Sequence, residues 1–385
     1  MAATTLTGLI PNIYDALDTV SREQTGLIRA VGMDAKAEMA AVQQVIRSAV
    51  VPAIALENLT PSNVAADTPA QTIGYVDITI TNSKSAPFGI TGEEELSLAT
   101  TGMFPKITTD RITQCFRALS NAVEADLSAL HIGASRAFGT ATGTPFGTAA
   151  DLSDFAAMRQ VMEENGAPLS DLHCVLGSTS TARIRGKQSG LFKVNEAGSD
   201  ELLRTGAMGN VQGFDLHWSP ATKTAVTVGT GAAYTTTAAG FAVGVTSIPL
   251  ITGTGTVLAG DIVTFAGDAN QYVVATGVAA PGTIVIAEPG LRVAMSAATK
   301  ALTIVAATTR NMFFHRGAIQ LATRRPAMPS GGDDADEVMM IQDPVSGINY
   351  EFVKYKQKRQ VRYEVNLAWG VAVVQPRHLG LLIGA

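Results

Sequence analysis

The sequence predicts an α+β chain into which a small all-β domain is inserted. Three observations carry this. Residues 105–133 place Ile112, Phe116, Leu119, Val123, Leu127 and Leu130 at steps of three and four, one face of a long helix. Residues 71–104 alternate, with Tyr75, Asp77 and Thr79 on one side and Val76, Ile78 and Ile80 on the other, the period of a strand. Residues 221–309 break into short β-prone runs separated by glycine turns, at roughly ten-residue spacing, the rhythm of a small barrel or sandwich.

The 385 residues suffice for two or three domains at roughly 100–200 residues each, and 46% apolar residues allow a large core. A net charge of -5 argues against a dedicated duplex-binding domain, which is strongly basic. Aromatics are only 6%, while Gly, Ala and Thr are abundant, a composition suited to extended chain and close-packed small side chains. Cys115 and Cys174 lie far apart in apolar settings and are expected as buried thiols, in a reducing cytosol. The first residues, MAATTLTGLIPN, lack the basic and apolar regions of a signal peptide. No apolar run reaches the length of about 18 that a membrane-spanning helix needs.

In order along the chain, residues 1–70 read as a helical arm. Ile13, Leu17, Val20, Leu27 and Val31, then Met39, Val42, Ile46 and Ala49, keep helical spacing. Pro52, Pro61 and Pro69 then enforce an extended strap. Residues 71–104 read as a β-hairpin turning at Asn82-Ser83-Lys84, with an acid-bearing second arm. A two-stranded hairpin is marginal in water, so it needs a partner surface, in this case another subunit. The long helix has Pro105 near its start and Gly133 at its end. A Gly/Thr/Ala loop follows over 134–150.

Residues 151–166 form a second helix, capped by Asp151 or Ser153, with Phe155, Met158, Val161 and Met162 on its apolar side. A buried strand at 172–176, a short helix at 178–186 and a polar loop through Gly213 complete an α/β unit. The inserted stretch carries only Lys223, Asp261, Asp268, Glu288, Arg292 and Lys300 as charges. Its runs 261–265, 271–275 and 283–287 are strands. The interrupted unit resumes near Arg310, and strand-like runs follow at 338–342, 350–355 and 361–374.

No catalytic constellation emerges. His131, His173, His217, His315 and His378 are scattered without metal-ligand spacing. The run GSTSTARIRGKQS superficially resembles a phosphate loop but has Ala182 and Gln188 where such a loop needs Gly and Ser/Thr. Gly133-Ala134-Ser135-Arg136-Ala137 lacks the final Gly of a nucleophile elbow and follows a helix rather than a strand. Asp333, Asp334, Asp336 and Glu337 read as a solvated loop. Glu93, Glu94 and Glu95 are either a solvated face or an acidic patch that pairs with a neighbouring subunit. The basic and aromatic stretch RNMFFHRGAIQLATRRP invites a nucleic-acid reading. Its position favours a strand re-entering the fold after the insertion, with Met312, Phe314, Ile319 and Leu321 on its apolar side and Phe313 on the other.

Taken in order, Gly213-Phe214-Asp215-Leu216-His217-Trp218-Ser219-Pro220, Gly260-Asp261-Ile262-Val263-Thr264-Phe265, Asn311-Met312-Phe313-Phe314-His315-Arg316 and Arg362-Tyr363-Glu364-Val365-Asn366-Leu367-Ala368-Trp369-Gly370 carry a resemblance. Over nearly its whole length the chain resembles the major capsid proteins of tailed bacteriophages, whose fold the herpesvirus capsid floor shares. Within them it resembles the podovirus-type coat group with an inserted β domain.

The resemblance implies an N-terminal arm at 1–70, an extended loop at 71–104, and a peripheral domain with its spine helix at 105–150 and 331–365. It implies an axial domain at 151–220, 310–330 and 366–385, and the inserted domain at 221–309. It further implies a non-enzymatic subunit without cofactors or bound metal. Such a subunit assembles with itself as pentamers and hexamers in the virion shell and is put together in the host bacterial cytoplasm. A scaffolding protein, a portal and weak, sequence-independent contact with packaged double-stranded DNA complete the implied partners. Lys84, Glu93, Glu94, Glu95, Arg324 and Arg325 are the candidate inter-subunit contacts. Covalent cross-linking is not expected, since nothing places a catalytic glutamate beside Lys84, Asn349 or Asn366. A tail or decoration protein, or an encapsulin-type compartment shell, is the alternative reading.

Overall fold

The fold is seen in a computed structural model that describes residues 6–24, 26–50, 74–100, 103–149, 151–187, 209–223 and 226–384. The chain opens with helices α1 (Leu6–Gln24) and α2 (Gly26–Ala30), then strands β1 (Gly32–Ala40), β2 (Val45–Val50), β3 (Gly74–Thr79) and β4 (Asn82–Thr91). Helix α3 (Gly92–Thr100) leads to the long α4 (Phe104–Ala129), which tightens into a 3-10 turn, Leu130–Gly133. At about 1.5 Å per residue, α4 runs roughly 39 Å. Strand β5 (Arg136–Gly139), helix α5 (Ser153–Glu164), strand β6 (Leu172–Leu176), helix α6 (Ser178–Lys187) and strands β7 (Asn210–Val211) and β8 (Phe214–Trp218) follow. The inserted stretch forms β9 (Ala232–Thr236), β10 (Ser247–Thr254), β11 (Ile262–Phe265), β12 (Gln271–Thr276), β13 (Thr283–Ile286) and β14 (Leu302–Ile304). The chain closes with β15 (Thr309–His315), β16 (Ile319–Pro326), β17 (Glu337–Gln342), β18 (Asn349–Gln357), β19 (Gln360–Val373) and β20 (Leu379–Gly384).

Helix α4 is the axis of the molecule. Its apolar stripe, Ile112, Phe116, Leu119, Val123 and Leu127, is fully buried. One side of the helix takes Ile13, Leu17 and Val20 of α1; the other lies on a six-stranded sheet ordered β1-β16-β19-β18-β17, with β4 also pairing β19. Phe116 meets Tyr350 of β18 edge-on at 4.9 Å between ring centres. At the far end Asp126 accepts hydrogen bonds from Trp369 Nε1 at 2.8 Å and Asn82 Nδ2 at 2.7 Å.

The second sheet runs β7-β8-β6-β15-β20-β5-β12-β13-β10-β9. Strand β15 alternates between two cores. Met312 and Phe314 face the α4 side, whereas Phe313 faces α5 and α6 with Phe155, Met158 and Ile184. This is the disposition that the alternation predicts. The expected strands at 261–265, 271–275 and 283–287 are present as β11, β12 and β13, around a core of their own that includes Tyr234, Ile248, Phe265 and Ile284. The inserted stretch is nevertheless joined to the rest. Tyr272 of β12 pairs with Arg136 of β5, and Ile262 and Val273 turn into the main core.

Several expectations are corrected. Residues 32–50 are strands, not the second part of a helical arm: β1 adds in parallel to the edge of β16, and β2 pairs β3. Met39, Val42, Ile46 and Ala49 fit a helical step, but the open edge of β16 supplies hydrogen bonds that favour the extended form of β1. No hairpin turns at Asn82-Ser83-Lys84. Strand β4 instead pairs along ten residues of β19, from Thr91 opposite Gln360 to Asn82 opposite Trp369. The acid-bearing arm is the helix α3. The 134–150 loop contains β5. The stretch Arg310 to Pro326 is two strands in two sheets, joined by a 3-10 turn at Arg316–Ala318. The strap at Pro52, Pro61 and Pro69 and most of the polar loop before Gly213 lie outside the described residues.

Candidate assembly surfaces

The ribbon β2–β3 is the least covered part of the described fold. Its root is fixed: Ile80 and Gln43 exchange backbone hydrogen bonds, Thr81 N donates to Trp369 O at 3.1 Å, and Ile78 and Ile80 pack with Ala322 and Ala368. Beyond the root, β2 and β3 pair only with each other among the described residues. Arg47 bridges to Asp77 at 3.2 Å and lies over the ring of Tyr75. Val45 and Tyr75 stay exposed, with Met39 and Val42 near the root. A ribbon of this kind does not bury enough apolar surface to hold itself.

Helix α3 projects in a similar way. Thr91 and Glu94 form a reciprocal capping box, Glu94 N donating to Thr91 Oγ1 and Thr91 N to Glu94 Oε2, each at 3.2 Å. Glu93, Glu94 and Glu95 occupy its first turn, where carboxylates suit the helix dipole. Arg111 of α4 reaches Glu94 at 3.8 Å. The helix has no buried residue, and Leu96 is 59% exposed. Between its start and the tip of the β18–β19 hairpin lies an open cleft of about 730 Å³, lined by Ile90, Glu93, Glu95, Arg359, Gln360 and Val361 among others. Acidic and basic groups therefore face one another across it.

The other candidate contacts sit elsewhere. Lys84 is not at a hairpin tip. It lies within β4 opposite Leu367, its ammonium 5.4 Å from the centre of the Trp369 ring, a cation–π placement. Arg324 and Arg325, expected to meet a neighbour's acids, meet acids of their own chain. Arg324 Nη2 donates to Asp34 Oδ2 at 2.7 Å, tying β1 to β16, and Arg325 Nε donates to Glu351 Oε1 at 2.9 Å. Arg316 pairs with Asp171 at 3.3 Å, and Arg310 is buried. The four arginines of the basic stretch are thus inside the chain's own network rather than offered together to a nucleic acid.

Two interior groups escaped sequence reasoning. Glu124 of α4 is 1% exposed and accepts from Ile28 N at 2.9 Å, Leu27 N at 3.1 Å and Ser219 Oγ at 2.6 Å. Burial pushes its carboxyl up to about 7, against the lowering effect of those three donors. It joins the arm, the spine and the last turn before the inserted stretch. The only sequence signal was an acid directly beside the apolar stripe of α4. The second group is a histidine pair. Asp171 accepts from His173 Nε2 at 2.9 Å, so His173 Nδ1 accepts from His217 Nε2 at 3.0 Å. Burial pulls both rings down, His217 to about 4.

Cys115 and Cys174 are free and buried, and burial pushes Cys115 up to about 11. Among the described residues, no group of three or more His, Cys, Asp or Glu side chains is placed to hold a metal ion. Asp336 is paired with Lys354 and Lys356, and Asp333 accepts from the Tyr355 hydroxyl. No helix among the described residues is long and apolar enough to cross a membrane.

No protein-family model matches the chain, and no curated protein matches it. Solved structures do align with it. The mature capsid of bacteriophage PhiM1 aligns at 11% identity and a TM-score of 0.47, over 94% of this chain and 87% of that one. The capsid of cyanophage P-SCSP1u aligns at 11% identity and 0.46, over 94% and 89%. A chain of Mycobacterium phage Che8 aligns at 12% identity and 0.45, over 88% and 84%.

Proposed function

We propose that the chain is a major capsid subunit that assembles with copies of itself into the icosahedral shell of a tailed phage. The observation that carries this is the uncovered β2–β3 ribbon and α3 helix on a body otherwise closed around one long helix. Ribbon and helix keep apolar side chains in water, at Val45, Tyr75 and Leu96, which a second copy would cover. Many such overlaps, each weak, add by multivalency into a stable closed shell. The function is structural, and the acids of α3 supply the charge for inter-subunit pairing. A scaffolding protein and a portal serve assembly, and packaged double-stranded DNA touches the inner surface weakly and without sequence preference. The net charge of -5 suits a wall that does not trap the genome.

The test is expression with and without a scaffolding partner, followed by negative-stain imaging. Closed shells or capsomers are expected. Val45→Asp with Tyr75→Asp should abolish them while leaving the melting temperature of the isolated subunit within about 2 °C, because these side chains make few contacts within the subunit. A wild-type chain that stays monomeric under all these conditions refutes the proposal.

A further inference from the structure

The interior holds a second feature that the assembly reading does not use. Arg310 is 1% exposed. Its Nη1 donates to Thr308 Oγ1 at 3.2 Å, but Nε and Nη2 have no hydrogen-bond partner. Those two N–H groups lie along one edge of the guanidinium, the edge that grips two oxygens of a carboxylate, sulfate or phosphate side by side. The alternation of β15 places Arg310 on the same face as Met312 and Phe314, toward the α4 side. His131, in the 3-10 turn that ends α4, is 6% exposed. Its Nδ1 donates to Ser128 O at 3.1 Å, which leaves Nε2 without a partner. Lys223 is close by, since its carbonyl accepts from Arg310 N at 2.8 Å.

No acid neutralises this cluster. Asp261 is near enough to act on Arg310 electrostatically, yet both its carboxylate oxygens accept from Gly229 N, and Oδ2 also accepts from Leu258 N at 2.7 Å. No ion pair joins Asp261 to Arg310 among the described residues. Burial pulls the Arg310 guanidinium down to about 10, with Asp261 offsetting only part of that. Burial, then the charges of Arg310 and Lys223, also pull His131 down. A buried guanidinium with a free bidentate edge is a group that lacks its counter-ion.

We infer that Arg310, with His131 and Lys223, forms a binding site for a small oxyanion at the root of the inserted stretch. Arg310 Nε and Nη2 grip two oxygens of the anion, and His131 Nε2 donates to it once the ring takes a proton. Binding therefore takes up that proton and tightens as pH falls. The charged groups facing His131 and its neighbour are Lys223, Arg310 and Asp261; a histidine is the type of group that changes charge between about pH 5 and 8. The site joins the end of α4, the first residues of the inserted stretch and the strand that leaves it, so its occupant clamps that junction.

The test uses the full-length chain and sulfate, whose charge is constant from pH 6 to 8. Melting temperature is followed against sulfate at constant ionic strength held with chloride, with acetate run in parallel. A saturable rise of several degrees is expected, larger at pH 6 than at pH 8. A response to sulfate identifies an inorganic tetrahedral anion, and a response to acetate alone identifies a carboxylate. Arg310→Gln should lose the rise, and His131→Asn should keep a smaller one without its pH dependence. Absence of any saturable response in the wild type, or an equal response in Arg310→Gln, overturns the inference and leaves water as the partner. If Arg310→Gln does not fold, His131→Asn decides, and an unchanged pH dependence there overturns it.

Discussion

Glu124→Gln tests whether one buried carboxyl joins the arm to the spine helix as a proton-holding group. In the fold its oxygens face three donors, the Leu27 and Ile28 amides and the Ser219 hydroxyl. The hydroxyl rotates to accept from a protonated carboxyl, whereas the two amides always donate. The glutamine keeps one acceptor oxygen but turns an NH2 group toward donors, a loss of about 1 kcal/mol when the wild-type carboxyl is neutral. The pH dependence is larger. Glu124 titrates at about 7 in the fold against an ordinary value of 4.5. A folded value above the unfolded one means a stability contribution fully present below pH 4.5 and lost as pH rises through 7. The gap is worth about 3 kcal/mol, at about 1.4 kcal/mol per pH unit. Glutamine does not titrate, so the variant is expected to be less stable than wild type at pH 5 and equal or more stable at pH 8. Urea unfolding of the purified chain at pH 5, 6, 7 and 8 measures this. His131, His173 and His217 titrate in both proteins and cancel in the difference. A difference that stays constant across this range refutes the reasoning.

Three further outcomes are expected. Arg324→Met removes the partner of Asp34; because Asp34 keeps some water, the cost is about 2 kcal/mol rather than the 3–5 kcal/mol of a wholly buried pair, read by urea unfolding. Replacing residues 223–308 with a short linker is expected to leave a foldable but less stable remainder, with a lower melting temperature by circular dichroism, since β5 loses its β12 partner and the main core loses Ile262 and Val273. Cys115 and Cys174 should resist a thiol reagent at pH 8 in the native chain and react fully in denaturant, because buried thiols held above their ordinary range present almost no thiolate.

Much of the fold was legible wherever the signal was local. The stripe of α4 repeats every three to four residues within one contiguous segment, so each side chain reports the same face regardless of what covers it. The strands of the inserted stretch were legible for the same reason, since glycine turns bound each β-prone run. The two-sided burial of Met312, Phe313 and Phe314 followed from alternation alone.

Residues 32–50 show where that reasoning stops. Met39, Val42, Ile46 and Ala49 satisfy a helical step, yet β1 is extended because β16, nearly 290 residues away, presents an open edge. The hairpin expected at Asn82-Ser83-Lys84 failed in the same way, as β19 offered β4 a longer partner than β3 could. Arg324 and Arg325 could be read from sequence as charges in need of acids, but not that Asp34 and Glu351 would supply them. Glu124, and Arg310 beside His131, were invisible because each depends on donors or charges from three separate segments. By itself the sequence determined which segments form a long helix, a β insertion and a buried strand, because hydrophobic period is written in neighbouring residues. Only the tertiary structure decided which edges pair and which charges are met, because hydrogen-bond and charge partners are chosen by proximity in space.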